Sequence, residues 1–170
     1  MQRVLGYMRK AIQEFDLIQD GDRIAVGVSG GKDSVALLAG LARLRRFIGI
    51  DYSLTAITLD PQFHGVPGDY SAIEKMCAEL EIPYVVKKTQ IGEIVFDARQ
   101  ETNPCSLCAR MRRGALHDAA KEAGCNKIAL GHHYNDVIET FMMNLFNEGR
   151  LGCFSPKSYL SRKDLWMIRP

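Results

Sequence analysis

No stretch of this chain approaches the ~18 to 20 consecutive apolar residues that cross a bilayer, which argues against a membrane span. The N-terminus reads Met1-Gln2-Arg3-Val4 and turns amphipathic without a continuous apolar core, which argues against a secretory leader. Cysteine is too scarce for a disulfide framework: five is an odd number, and with no export signal the expected setting is reduced and cytosolic. A second Cys-x-x-Cys, internal repeats and low-complexity tracts are missing as well. Net charge is small, +2, but unevenly spread: residues 1–98 hold 11 Lys/Arg against 13 Asp/Glu, and residues 99–170 hold 11 against 7. The basic C-terminal half permits a polyanionic partner, and a solvated basic face is the plainer alternative. What is present, 46% hydrophobic and 25% charged residues over 170 positions, is the composition of one soluble globular domain.

Along the chain, Val4, Met8, Ile12 and Phe15 form one stripe of an amphipathic helix within residues 1–20, stopped at Asp20-Gly21-Asp22. Ile24 to Val28 is a short apolar run that fits a strand buried on both faces, and residues 34–46 read as a helix ending in Arg43, Arg45 and Arg46. The alternation repeats. Tyr52 to Leu59 is a strand, Asp69 caps a helix carrying Ile73, Met76, Cys77 and Leu80, and Tyr84-Val85-Val86 is a third strand. Residues 88–104 form a connection too long to be idle, followed by a helix from Cys105 to Ala123 with Gly124 after it. Lys127 to Gly131 is a fourth strand and Asn135 to Glu148 a helix, whose Phe141, Met142 and Met143 read as core. Residues 150–170 form an extension with a β-hairpin, Ser158 to Leu160 against Leu165 to Ile168. The pattern predicts an α/β fold, a doubly wound parallel sheet in one domain over 1–170, and a chain that breaks off as a fragment after Arg169-Pro170.

Three segments carry chemistry. Ser29-Gly30-Gly31-Lys32-Asp33-Ser34 lies between a buried strand and a helix, where such sheets place their ligand crevice. Paired glycines let backbone N–H groups approach an anion, the helix N-terminus adds positive charge, and Ser29 and Ser34 can donate to phosphate oxygens. The turn fits neither the Walker nor the Rossmann glycine pattern. Cys105 and Cys108 open a helix three residues apart, a position that favours thiolate; iron–sulfur ligation, a structural zinc, a redox pair and plain burial all stay open. Arg110, Arg112 and Arg113 cannot all face one way on a helix, and Arg112 shares the face of Cys108. In Leu130-Gly131-His132-His133-Tyr134-Asn135-Asp136, Gly131 would let backbone approach a flat base or ribose, and Asp136 suits Mg²⁺ or a helix cap.

The glycine turn resembles the pyrophosphate-binding loop of the PP-loop ATP pyrophosphatase superfamily. With NPCSLCARMRRGAL at 103–116 and LGHHYNDVIETFMMNLFNEGRL at 130–151, the chain resembles the TtcA-type tRNA 2-thiocytidine synthetases. The resemblance implies an adenine nucleotide alpha hydrolase-like (Rossmann-like) fold. The implied enzyme is a cytoplasmic tRNA sulfurtransferase that uses ATP and Mg²⁺ to adenylate C2 of an anticodon-loop cytidine, then replaces the oxygen by sulfur. By position, Ser29, Gly30, Gly31, Lys32, Asp33 and Ser34 would hold ATP phosphates, Ile57 to Leu59 and Gly131 would line the adenosine, and Asp136 and Arg112 would be catalytic. Cys105 and Cys108 would bind a [4Fe–4S] cluster, with zinc as the alternative. The implied partners are tRNA and a sulfur donor protein or sulfide, and a homodimer is compatible. Two positions depart from the family: Asn135 stands where an acid is common, and the third cluster cysteine lies further along than residue 170, with Cys153 in the wrong segment. Amidation or lysidine formation on the same loop, and a nucleotide-binding fragment without turnover, are the alternatives.

Overall fold

The computed structural model describes residues 1–98 and 104–170. Six strands, β1 (Asp22–Gly27), β2 (Tyr52–Asp60), β3 (Tyr84–Lys88), β4 (Lys127–Ala129), β5 (Lys157–Leu160) and β6 (Leu165–Ile168), form one sheet in the order β3-β2-β1-β4-β6-β5. Every neighbouring pair is parallel except β5 with β6. The helices are α1 (Gln2–Glu14), α2 (Lys32–Leu44), α3 (Ser71–Glu79), α4 (Pro104–Glu122) and α5 (Tyr134–Glu148), with a 3₁₀ turn at Phe63–Gly65 and a π-helical segment at Glu93–Ala98. Residues 99–103, which include Asn103 of the cysteine motif and part of the 88–104 connection, lie outside the described residues. Among the described residues no helix is long and apolar enough to cross a membrane.

The period-two alternation of β1 explains the two layers. Ile24 and Val26 point to one face, where Leu37, Leu38 and Leu41 of α2, Met8 and Ile12 of α1, and Ile73 and Cys77 of α3 cover them. Ala25 points to the other, with Ile57, Ile128 and Leu165, under Ala119 and Ala120 of α4. Side chains on both faces are fully buried, so the strands read as near-continuous apolar runs.

Four expectations change. The buried stripe of α1 is Met8 and Ile12, while Val4 and Phe15 are exposed, Phe15 lying just past the helix end at Glu14. Tyr70, not Asp69, is the N-cap of α3; Asp69 instead accepts from Ser71 N at 3.0 Å. The hairpin is no appendage: β6 slots in parallel beside β4, with Leu165 and Ile168 fully buried. Phe141, Met142 and Met143 are not core. Helix α5 has no buried residue, and Met142 and Met143 are 40% and 62% exposed. The helix rests on the body through a half-buried stripe of Val137, Thr140, Phe141 and Asn144, and a helix apolar on more than one side leaves the rest uncovered.

Candidate active site

The strand order reverses between β1 and β4, and both strand ends open onto a cavity of about 430 Å³. The loop leaving β1 turns through Gly30, whose φ of +84° lies in the left-handed region open to glycine. Ser34, buried in the first turn of α2, accepts a hydrogen bond from Ser29 N (3.1 Å) and donates to Gly31 O (2.9 Å). Ser29 Oγ lies 3.2 Å from Ser34 Oγ and accepts from Gly31 N at 3.4 Å. The two hydroxyls therefore brace the turn, beside the phosphate contacts that the sequence suggested for them. What the turn presents to an anion is the set of first-turn N–H groups of α2, which have no partners within the helix.

Gly131 closes the same corner from β4. A Cβ there would stand 2.9 Å from Ser34 N and 3.0 Å from the Asp33 carbonyl carbon, so glycine is required by the packing of the β4 loop against α2 itself. His133 then bridges two carboxylates: its Nε2 is 3.7 Å from Asp33 Oδ1 and its Nδ1 is 3.5 Å from Asp136 Oδ2. Asp136 also accepts from His133 N at 2.7 Å, completing a capping box at the start of α5. It thus serves as the cap that the sequence allowed, and it also lines the cavity.

Helix α4 forms the opposite wall. Ala109, Arg112, Arg113, Leu116 and His117 line the cavity at steps of three and four, one continuous face. Cys105 and Cys108 continue that row toward the helix N-terminus, Cys105 exposed and Cys108 half-buried, packed on the cluster of Ile91, Val95 and Leu107. Arg110 does not line the cavity, as the helical facing required. Among the described residues, none of the three arginines has a carboxylate within ion-pair distance.

The structure thus gathers Ser29, Gly31, Asp33, Ser34, Leu59, Arg112, Gly131 and Asp136 around one cavity. Gly30, Lys32, Cys105 and Cys108 stand outside its lining, with the side chain of Lys32 exposed. Among the lining residues that received no individual role from the sequence are Arg113, Leu116, His117 and Met167. The first three were legible as the continuation, by threes and fours, of the cysteine row. Met167 was not, because its place depends on β6 entering the sheet. Burial, and then nearby Arg113, push the pKa of His117 below the usual imidazole range; burial, Arg169 and Arg113 do the same to His132. Asp60, 2% exposed at the end of β2, was also missed; it accepts from Gln62 N (3.1 Å) and from Gly68 N and Tyr70 Oη (both 3.4 Å), folding the 62–70 loop beside Leu59.

The sequence matches the PP-loop domain family over residues 5–170. It is 42% identical over 169 residues to a tRNA-cytidine(32) 2-sulfurtransferase of Citrifermentans bemidjiense, covering 99% of this chain and 66% of that protein. It is 44% identical over 162 residues to the protein of that name from Syntrophotalea carbinolica, covering 95% of this chain and 62% of that one. Among solved structures, the U34-tRNA thiolase NcsA from Methanococcus maripaludis with its [4Fe-4S] cluster superposes with a TM-score of 0.73 at 25% identity, over 97% of this chain and 57% of that one. The chain spans about two thirds of the length of the curated relatives it matches. With a glycine turn and a β4 loop facing one another across the strand-order reversal, and a family match over residues 5–170, this chain belongs to the PP-loop domain family.

Proposed function

We propose that this chain binds ATP in the cavity and carries out the activating half of tRNA thiolation on a cytidine. The observation that carries the reading is the continuity of α4, which brings Arg112 to the wall facing the glycine turn and holds Cys105 and Cys108 one and two turns away on the same face. The names of the relatives support the choice of tRNA and cytidine, and the name of the structural neighbour supports tRNA.

Cytidine O2 is a poor leaving group as it stands. In the proposed reaction O2 attacks the α-phosphorus of ATP; the O2–P bond forms, the bond to the bridging oxygen breaks, and pyrophosphate leaves with the electron pair. A sulfur nucleophile from a donor protein or from sulfide then attacks C2, and AMP departs carrying O2. The first-turn amides of α2 stabilise charge on the departing pyrophosphate, and Arg112 does so at the α-phosphate. Asp136, which lines the cavity, would offer an oxygen ligand to Mg²⁺ beside the phosphates, where the ion would neutralise charge; Asp33 stands on the far side of the His133 ring. Cys105 and Cys108 fit two ligands of an iron–sulfur cluster. Among the described residues no group of three His, Cys, Asp or Glu could hold a metal, so these residues do not complete that site and no step is assigned to it. The setting is the cytoplasm.

The test is RNA-dependent pyrophosphate release with a tRNA anticodon stem-loop. Release that requires an unpaired cytidine in the loop, with Arg112→Ala lowering kcat roughly 10²-fold, is the expected result. Tight ATP binding without any RNA-dependent turnover would leave a nucleotide-binding module in its place.

A further inference from the structure

Phe63 and Phe96 come from segments far apart in the chain, the 3₁₀ turn after β2 and the π-helical segment after β3. Their ring centroids are 5.7 Å apart with planes at 69°, an edge-to-face pair. The contact hides neither ring: Phe63 is 41% and Phe96 46% exposed. Neither belongs to the lining of the cavity, so neither is a wall of the proposed ATP site.

Both rings stand on a fixed base. Gln62, just before the turn, has a φ of +49°, a left-handed conformation that a non-glycine residue keeps only where its surroundings enforce it. Buried Asp60 accepts from Gln62 N, Gly68 N and Tyr70 Oη and so gathers the loop. Gly92 N donates to Pro61 O at 2.9 Å, and a Cβ at Gly92 would stand 2.7 Å from that oxygen, so the two segments interlock. A π-helical turn is rare in itself and concentrated at functional sites. Val95 at its centre is 1% exposed and packs with Ile91 against Leu107, Cys108 and Met111, which joins the platform to the cysteine end of α4.

The surroundings are cationic. Arg110, Arg112 and Arg113 of α4 are exposed and, among the described residues, have no carboxylate at ion-pair distance; Lys88 at the end of β3 is exposed as well. The loop that carries Phe63 lies beside Arg112: burial and Asp60 raise the pKa of Tyr70 on that loop, and Arg112 opposes them. Rigid aromatic rings beside unpaired cations suit single-stranded nucleic acid, whose bases stack and whose phosphates are neutralised. An acidic peptide would answer the cations and leave the rings without a flat partner.

We propose that the Phe63–Phe96 pair is a stacking platform for an unpaired base of the RNA loop, a neighbour of the acceptor cytidine and not the acceptor itself. The inference rests on the function proposed above and deepens it by naming a second contact of the same RNA. The acceptor has to enter the cavity to meet the α-phosphorus, and a base held outside the cavity fixes how the loop lies across α4. Every base has a π face, so the platform contributes affinity with little preference among bases.

The experiment measures stem-loop affinity by fluorescence anisotropy for the parent, Phe96→Leu and Phe96→Trp, with ATP affinity by calorimetry alongside. Phe96→Leu keeps an apolar side chain and removes the π face. It is expected to weaken RNA binding roughly fivefold or more, to leave ATP affinity within about twofold of the parent, and to leave the salt dependence unchanged, since stacking releases no counterion. Phe96→Trp, which restores a flat ring, is expected to recover the affinity. A set of stem-loops, each with one loop base replaced by an abasic nucleotide, then locates the contact: one position other than the acceptor weakens the parent and has no effect on Phe96→Leu. Parental RNA affinity in Phe96→Leu overturns the inference, as does a loss that Phe96→Trp fails to recover or one that ATP binding shares. Ring-dependent RNA binding without RNA-dependent pyrophosphate release overturns the functional reading and upholds the platform.

Discussion

Lys127 and Asp22 sit at the end of the sheet opposite the cavity, 3% and 5% exposed, with Nζ 2.6 Å from Asp22 Oδ2. The pair is fully connected: Lys127 Nζ also donates to Leu17 O, and Asp22 accepts from Asn126 Nδ2 and Gln19 N. Removing one charge strands the other in a low-dielectric site, so Lys127→Ala is expected to destabilise the fold by about 3 to 5 kcal/mol in urea titrations. A midpoint equal to the parent's would show that Asp22 is satisfied by its neutral donors alone. Nothing in the sequence linked position 22 to position 127. At the same scale Ser29, Asp33 and Ser34 were legible from the glycine turn, yet the inward role of Ser34 was not, because a hydroxyl's partner depends on where the turn folds back.

At the scale of elements, the contact of the β4 loop with the first turn of α2 holds the cavity's shape. A side chain at Gly131 meets backbone atoms that cannot rotate away, so Gly131→Val pushes the loop and helix apart. The expected outcome is a loss of ATP affinity of at least tenfold by calorimetry, with a stability loss of roughly 1 to 3 kcal/mol by thermal melting, the range of overpacking substitutions. Unchanged ATP affinity would mean that the nucleotide does not use this corner. Element positions were largely legible because periodicity reports burial along one helix or strand. The exposed flank of α5 was not. Apolarity marks a side chain that gains from burial, and only the arrangement of neighbours decides whether anything covers it.

For the whole molecule, the charge surplus of residues 99–170 becomes spatial: Arg110, Arg112 and Arg113 stand exposed on α4 without ion-pair partners among the described residues. With Arg112 committed to the cavity, phosphate contacts by Arg110 and Arg113 weaken RNA binding roughly tenfold between 50 and 200 mM salt, since each releases a condensed counterion. Fluorescence anisotropy with a labelled stem-loop reads this directly, and a salt-independent affinity would remove the arginines from the RNA interface. The chain's own order of residues already determined the alternation of strands and helices, the glycine turn after β1 and the cysteine row of α4. Each of these is a local pattern, written in neighbours three, four or two positions apart. Tertiary structure alone decided that β6 enters the sheet beside β4, that His117 and Met167 line one cavity, and that Gly131 touches α2. Those contacts join residues far apart in the chain, and their geometry is set by packing of the whole sheet, for which local sequence has no signal.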